Sequence, residues 1–303
     1  MLKKLSLCLL GIIMPFGVAM ADDEIPTDLP LSNSTPLFGV SNDNEKLQLA
    51  VRRIGLDWSK TQVHNAAEYQ DSPVSALNAT SQDYFKGVFD TILEFTKNKF
   101  KWDNSLVMEY GKTTLKPYNE PATSDENADK ILFSSDLSYS CWEFSGLKFG
   151  PTVRAAYETQ FADSQDSPRQ NIVRSSAGIS LFDHDIIKSL YLTGIHEYDF
   201  TYAGDQNNKI GAEFGWRLEY AIRDGVKVSS DGYYREYFSY SGYVSTDLER
   251  DLSAVLRLDT NLWGHFTMGP YVQYRLAKAR GADVYGSNLI VGISFNYITD
   301  FLF

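Results

Sequence analysis

The chain offers little to acid-base, nucleophilic or metal chemistry: four histidines, two cysteines and a few acidic clusters. His196 is the best candidate base, with Glu197 and Asp199 close by in sequence. A barrel hydrolase that deacylates lipid would need such a histidine beside a nucleophile, with a third group orienting the imidazole. No serine stands out next to it in the chain. It also shares strand parity with Leu190, Leu192, Tyr198 and Phe200, which aims it at an apolar medium. Asp183-His184-Asp185 has the composition of a metal clip, but a turn residue between two solvated acids accounts for it as well. Ser124-Asp125-Glu126-Asn127-Ala128-Asp129 is rich in oxygen ligands, lacks the spacing of a calcium loop, and reads as a solvated loop. The expectation is a chain with no catalytic constellation, no metal site and no cofactor.

A second set of polar residues is larger and more regular. Asp103, Glu109, Lys148, Arg154, Glu158, Glu213, Arg217, Glu219, Arg235, Asp251, Arg257, Asp259 and Arg275 fall on the polar face of segments whose other face is apolar. Both signs are interleaved. A strongly ion-selective pore carries a ring or ladder of one sign, whereas mixed signs at cross-strand distance pair with one another. Arg154, Arg217, Arg257 and Arg275 are therefore expected to face inward and to pair with acids of their own or neighbouring strands.

The elements that must position these charges are strands. From about Leu47 to Phe303 apolar residues recur with a period of two, and a helical period is almost absent. The clearest run is Ile210-Ala212-Phe214-Trp216-Leu218-Tyr220-Ile222, with Glu213, Arg217 and Glu219 as its companion face. Twelve strands can be counted, the first being least regular because Arg52, Arg53 and Asp57 upset its alternation, as a bulge would. Short turns at Lys97-Asn98-Lys99, Phe144-Ser145-Gly146, Asp183-His184-Asp185, Asp224-Gly225 and Trp263-Gly264 alternate with long connections, among them Val63 to Tyr84 and Thr113 to Lys130. Strict alternation puts the short turns at one end of the sheet and the long loops at the other, the plan of an all-β, transmembrane antiparallel barrel of about 12 strands.

The two ends of the chain agree with that plan. Residues 1–21 have two lysines, an apolar run and the small-residue triplet Ala19-Met20-Ala21, the layout of a signal peptide for export that would take Cys8 with it. Residues 22–46 read as a flexible periplasmic lead-in or partial plug, and 47–303 as the barrel. With Cys8 gone, Cys141 stands alone and no internal disulfide is expected. At the other end, Phe295, Tyr297, Phe301 and Phe303 alternate up to a terminal aromatic, which resembles the signal read by the barrel assembly machinery of the bacterial outer membrane. A net charge of −11 argues against nucleic acid as a partner. The expected surroundings are outer-membrane lipid and lipopolysaccharide.

Lys99-Phe100-Lys101-Trp102-Asp103-Asn104-Ser105-Leu106, then Glu109-Tyr110-Gly111-Lys112-Thr113, Asp129-Lys130 and Leu137-Ser138-Tyr139, resemble an uncharacterised family of bacterial outer-membrane proteins known as domain of unknown function number 3078. The resemblance covers about residues 47–161 and implies a location, the cell outer membrane, and no chemistry. Two functions fit the pattern. One is a narrow channel for small polar solutes. The other is a closed structural barrel whose long acidic external loops bind a partner. A barrel lipid hydrolase comes third.

Overall fold

The computed structural model describes residues 45–69, 82–115, 123–161, 168–202, 204–242 and 247–302. Residues 1–44, which include the expected leader and most of the lead-in, lie outside them, as does Phe303. The strands are β1 (Glu45–His64), β2 (Gln82–Lys97), β3 (Phe100–Leu115), β4 (Thr123–Tyr139), β5 (Trp142–Phe144), β6 (Leu147–Thr159) and β7 (Asn171–Phe182). They continue with β8 (Ile187–Asp199), β9 (Asn207–Arg223), β10 (Val226–Tyr240), β11 (Leu248–Trp263), β12 (Phe266–Ala279) and β13 (Gly286–Leu302). Both β4 and β5 pair with β6 and are separated by Ser140 and Cys141, so together they form one interrupted crossing. With β4 and β5 taken as one, each crossing pairs antiparallel with its neighbours in sequence, and β1 pairs with β13. The sheet is thus a closed barrel of twelve crossings with no free edge. Closure is required in hydrocarbon, where unpaired backbone groups have no water to bond.

The face rule follows the sequence period. Leu56, Trp58, Phe85, Leu192, Phe214, Leu256, Val291, Ile293 and Phe295 are exposed on the outside, while Asp90, Glu213, Asp251, Asp259, Ser294 and Asn296 are buried inside. A surface this apolar on the outside of a barrel is a lipid-facing surface. Aromatic rings gather near both rims. Trp263 and Phe266 are 5.4 Å apart beside a turn, and Tyr198 and Phe200 5.7 Å apart on the loop side. These are the two girdles that amphipathic rings form at membrane interfaces.

The turns are tight because the residues allow it. Ser145 (φ 51°) and Gly146 (φ 81°) both take positive φ, as a two-residue type I′ hairpin requires. On the loop side, Ala66–Tyr69 form a turn of 3-10 helix, and Tyr69 is buried beside Leu248, Ala277, Ala279 and Ala282. Its hydroxyl donates to the carbonyl oxygens of Ala277 and Val284 at 3.0 and 2.8 Å, which pins this connection over the β12–β13 end.

Three expectations need correction. The long connection expected at Thr113 to Lys130 is mostly strand, with β3 running to Leu115 and β4 starting at Thr123, and Lys112 pairing with Glu126. Past the membrane interface a hairpin no longer needs an apolar face, so pairing continues where alternation stops. The acidic run 124–129 is therefore strand rather than loop. β1 begins at Glu45, so residues 45 and 46 belong to the barrel and not to the lead-in. Cys141 is disulfide-bonded in this structure, contrary to the expected single thiol, and Cys8 lies outside the described residues.

Candidate functional site: the lumen

The first strand carries an irregularity that reshapes the interior. Pairing of β1 shifts register between Val51 and Arg53 against β2, and between Val51 and Ile54 against β13. Gln48, Ala50 and Arg52 face the lumen before this bulge; Arg53, Asp57 and Ser59 are buried inside after it. Two consecutive arginines thereby point the same way, which an unbroken strand forbids.

The turn-side half of the lumen holds a cavity of about 600 Å³, lined by Lys101, Asp103, Lys148, Arg154, Tyr191 and Arg217 among others. Lys101 Nζ lies 2.9 Å from Glu94, 2.9 Å from Asp183 and 3.6 Å from Asp103. Lys148 also reaches Asp183, at 2.9 Å. Asp183 belongs to the β7–β8 turn, so this clamp ties that turn to β3 and β6. Burial alone would raise the Asp183 pKa, but Lys101 and Lys148 outweigh it and hold the carboxyl below its usual range. In the same turn His184 Nδ1 accepts from the backbone N–H groups of Ile186 and Ile187 at 3.2 and 3.4 Å, the work of a turn residue.

Above the cavity the lumen is filled by a bonded network. Lys130 stands 3.7 Å from Glu158, and Arg174 donates to Glu158 at 2.7 Å and to Glu197 at 2.6 Å. Lys209 bridges Glu197 and Asp247 at 2.9 and 3.0 Å, and Tyr237 donates to Glu197 at 2.8 Å. Arg235 donates to Glu213, which also accepts from Tyr191 at 2.7 Å. Arg275 holds Asp251 with two bonds of 3.0 and 2.6 Å, and Tyr233 donates to the same carboxylate at 3.0 Å. The carboxylates of this network are buried from water, as are Arg174 and Arg235. Val107, Leu132 and Ala156 form a small dry cluster on the same inner wall.

The remaining expected lumen residues sit around these two zones. Glu109 pairs with Lys86, Arg154 with Asp136, Glu219 with Lys227 at 2.5 Å, and Arg217 with Asp231 at 3.3 Å. Arg257 makes the expected ion pair with an acid of its own strand only at long range: its Nε is 4.0 Å from Asp259 Oδ2, and no hydrogen bond joins them. Asp259 uses its other oxygen to accept from Asn296 at 3.1 Å. Arg53 takes the partners that Arg257 lacks, donating to Asp57, to Asn296 at 2.5 Å and to Ser294 at 2.8 Å. Arg52, Arg53, Asp57, Lys101, Asp183, Lys227 and Asp231 were absent from the sequence-derived set. Strand parity marks Lys227 and Asp231, whereas the arginines are visible only once the bulge is placed.

Of the terminal aromatics, Phe295 is exposed on the outer face and Tyr297 packs 5.2 Å from Phe266. Phe301 is described only by its backbone, which pairs with Leu49. His196 sits on the outer face, its Nε2 3.1 Å from Asn208 Oδ1. No serine stands out beside it along the chain, yet β7–β8 pairing sets Ser175 directly opposite. Among the described residues no hydrogen bond joins the two, so the base has an orienting group but no engaged nucleophile.

Residues 78–164, spanning β2 to β6, match a family described as Protein of unknown function (DUF3078). This falls within the stretch whose resemblance was noted from sequence, apart from its last three residues. No curated protein matches the chain. Among solved structures, an outer membrane channel from Pseudomonas putida F1 is 8% identical, with 88% of this chain and 100% of that one covered at a TM-score of 0.44. The channel DcaP of Acinetobacter baumannii is 11% identical, with 87% and 100% covered at 0.40. Outer membrane phospholipase A from Escherichia coli is 12% identical, with 88% and 95% covered at 0.38. None of these likenesses carries a solute or an activity to this chain.

Proposed function

We propose that this protein lies in the bacterial outer membrane as a narrow channel for small polar solutes, and that the structure is its closed state. The observation behind this reading is the polar cavity of about 600 Å³ in the turn-side half of a twelve-crossing lumen. Eight-stranded barrels are filled by side chains and those of sixteen or more leave a water channel, so twelve crossings leave room for a constricted path. The network above the cavity acts as the closure. On this reading the leader is cleaved on export, taking Cys8 with it and leaving Cys141 of the mature barrel as a thiol, and the assembly machinery reads Phe295, Tyr297, Phe301 and Phe303. Lipid and lipopolysaccharide then surround the outer face.

The second reading, a closed barrel that acts through its external loops, is favoured by one specific observation: the unbroken chain of charge pairs on buried carboxylates from Lys130 to Asp247. Refolded protein in planar bilayers separates the two. A channel gives small, brief current steps that become larger or more frequent when Arg154 or Arg217 at the top of the cavity is changed to alanine. Silent bilayers with the wild type and with both variants would favour the closed barrel instead.

A further inference from the structure

Arg257 and its surroundings stand apart from the rest of the lumen. The residue is 3% exposed, and neither its Nε nor its Nη1 has a hydrogen-bond partner. Asp259 Oδ2, 4.0 Å from that Nε, also lacks one. Three further buried hydroxyls without partners, those of Ser229, Tyr271 and Thr267, lie on the flanking strands. Ser229 is the register partner of Arg257 across β10–β11, and Thr267 pairs with Asn261 two residues beyond Asp259. Orphaned buried donors and acceptors are rare, and each marks a place where a bound group completes the bonding.

The two sides of the gap differ in kind. Arg257 can only donate, and ionised Asp259 can only accept. A group between them must therefore accept from the guanidinium and donate to the carboxylate. A plain anion cannot donate, and an ammonium cannot accept. A hydroxyl does both, and the Ser229 and Thr267 hydroxyls extend the same chemistry to either side. The site is also held open by its neighbours. Arg53 is bound to Asp57, Asn296 and Ser294 and is unavailable to Asp259, while Asn296 fixes the other Asp259 oxygen. The ring of Tyr271, the register partner of Arg257 on β12, lies 5.8 Å from the guanidinium carbon, and its buried hydroxyl also lacks a partner.

We infer that Arg257, Asp259, Ser229 and Thr267 form a hydroxyl-binding site in the β10–β12 wall, filled by ordered water or by a hydroxyl of a neutral polyhydroxylated solute. The solute arm rests on the channel reading; the site itself does not. The test is thermal unfolding of the refolded full-length barrel in detergent with increasing D-glucose, comparing wild type, Arg257→Lys, Asp259→Asn and a lipid-face control, Leu192→Val. A saturable rise in melting temperature in wild type and control, with at least tenfold weaker apparent affinity in both site variants, supports a polyol. Absence of a saturable rise, together with a crystal structure showing one water within bonding distance of both Arg257 Nε and Asp259 Oδ2, supports water. The inference is overturned if the crystal structure shows Arg257 bonded directly to Asp259, or if glucose stabilises the site variants with wild-type affinity. A barrel that binds glucose here and never conducts would sink the channel reading alone.

Discussion

Arg235 on β10 and Arg257 on β11 are both buried arginines of the same lumen, on adjacent strands, yet they are held differently. Arg235 donates to Glu213, and its guanidinium carbon sits 4.1 Å from the ring centre of Tyr233. Arg257 has an acid two residues away on its own strand and does not bond to it. Along one strand, side chains of the same face are spaced by two residues, and an i, i+2 acid presents its oxygens at an awkward angle. Three well-bonded arginines instead reach across to another strand, Arg235 to β9, Arg275 to β11 and Arg174 to β6 and β8, and Arg53, which bonds Asp57 four residues on in its own strand, also reaches across to β13. In a barrel, then, cross-strand geometry more than charge count decides whether an inward cation is satisfied.

That difference is open to mutation. Arg235→Ala leaves Glu213 buried without its cation, and a loss of about 3–5 kcal/mol is expected in urea unfolding from lipid vesicles. Arg257→Ala should cost less than half as much, because Asp259 keeps Asn296 and Asp57 keeps Arg53. Equal losses would break the comparison. Tyr237→Phe, which removes a donor to Glu197, should cost about 1–3 kcal/mol by the same measurement. Thr267→Val removes a hydroxyl with no protein partner and should stay within about 1 kcal/mol of wild type. A Thr267 variant as damaging as the Tyr237 one would show that the two regions are bonded alike.

The smallest effect is one of pH at the clamp. Asp183 has a folded pKa below its ordinary value of 3.8. Its contribution to stability is therefore complete above that value and fades as pH falls through it and on through the lower folded pKa. Wild type should lose melting temperature below about pH 4 more steeply than Asp183→Asn, and parallel curves would show that the clamp with Lys101 and Lys148 contributes nothing measurable.

Much of the barrel was legible because lipid enforces a rule on every second residue. Ile210 to Ile222 gave β9 almost to its ends, and Asp224-Gly225 gave its turn. The rule stops at the interface, which is why the hairpin pairing Lys112 with Glu126 was read as loop. The identities of inward residues followed from parity, but their partners did not. Lys101 and Asp183 are 82 residues apart and meet only because a turn folds under the rim. Arg52, Arg53 and Asp57 announced a bulge by breaking alternation, and what they bind once turned inward depended on strands at the far end of the chain. Ser175 and His196 face each other through register, which no local reading supplies.

The bulge in β1 lies on the seam where the first strand meets the last. A perfectly regular edge looks the same after a slip of two residues, since every side chain still faces the side it faced before. The doubled arginine removes that equivalence. In the correct register Arg53 finds Asn296 and Ser294 of β13 waiting; after a slip of two along the seam, the guanidinium would meet Ser294 with Gly292, or Asn296 with Ile298, and lose one partner. The irregularity works as a key cut into an otherwise featureless zip, so that the ring can be fastened in a single alignment.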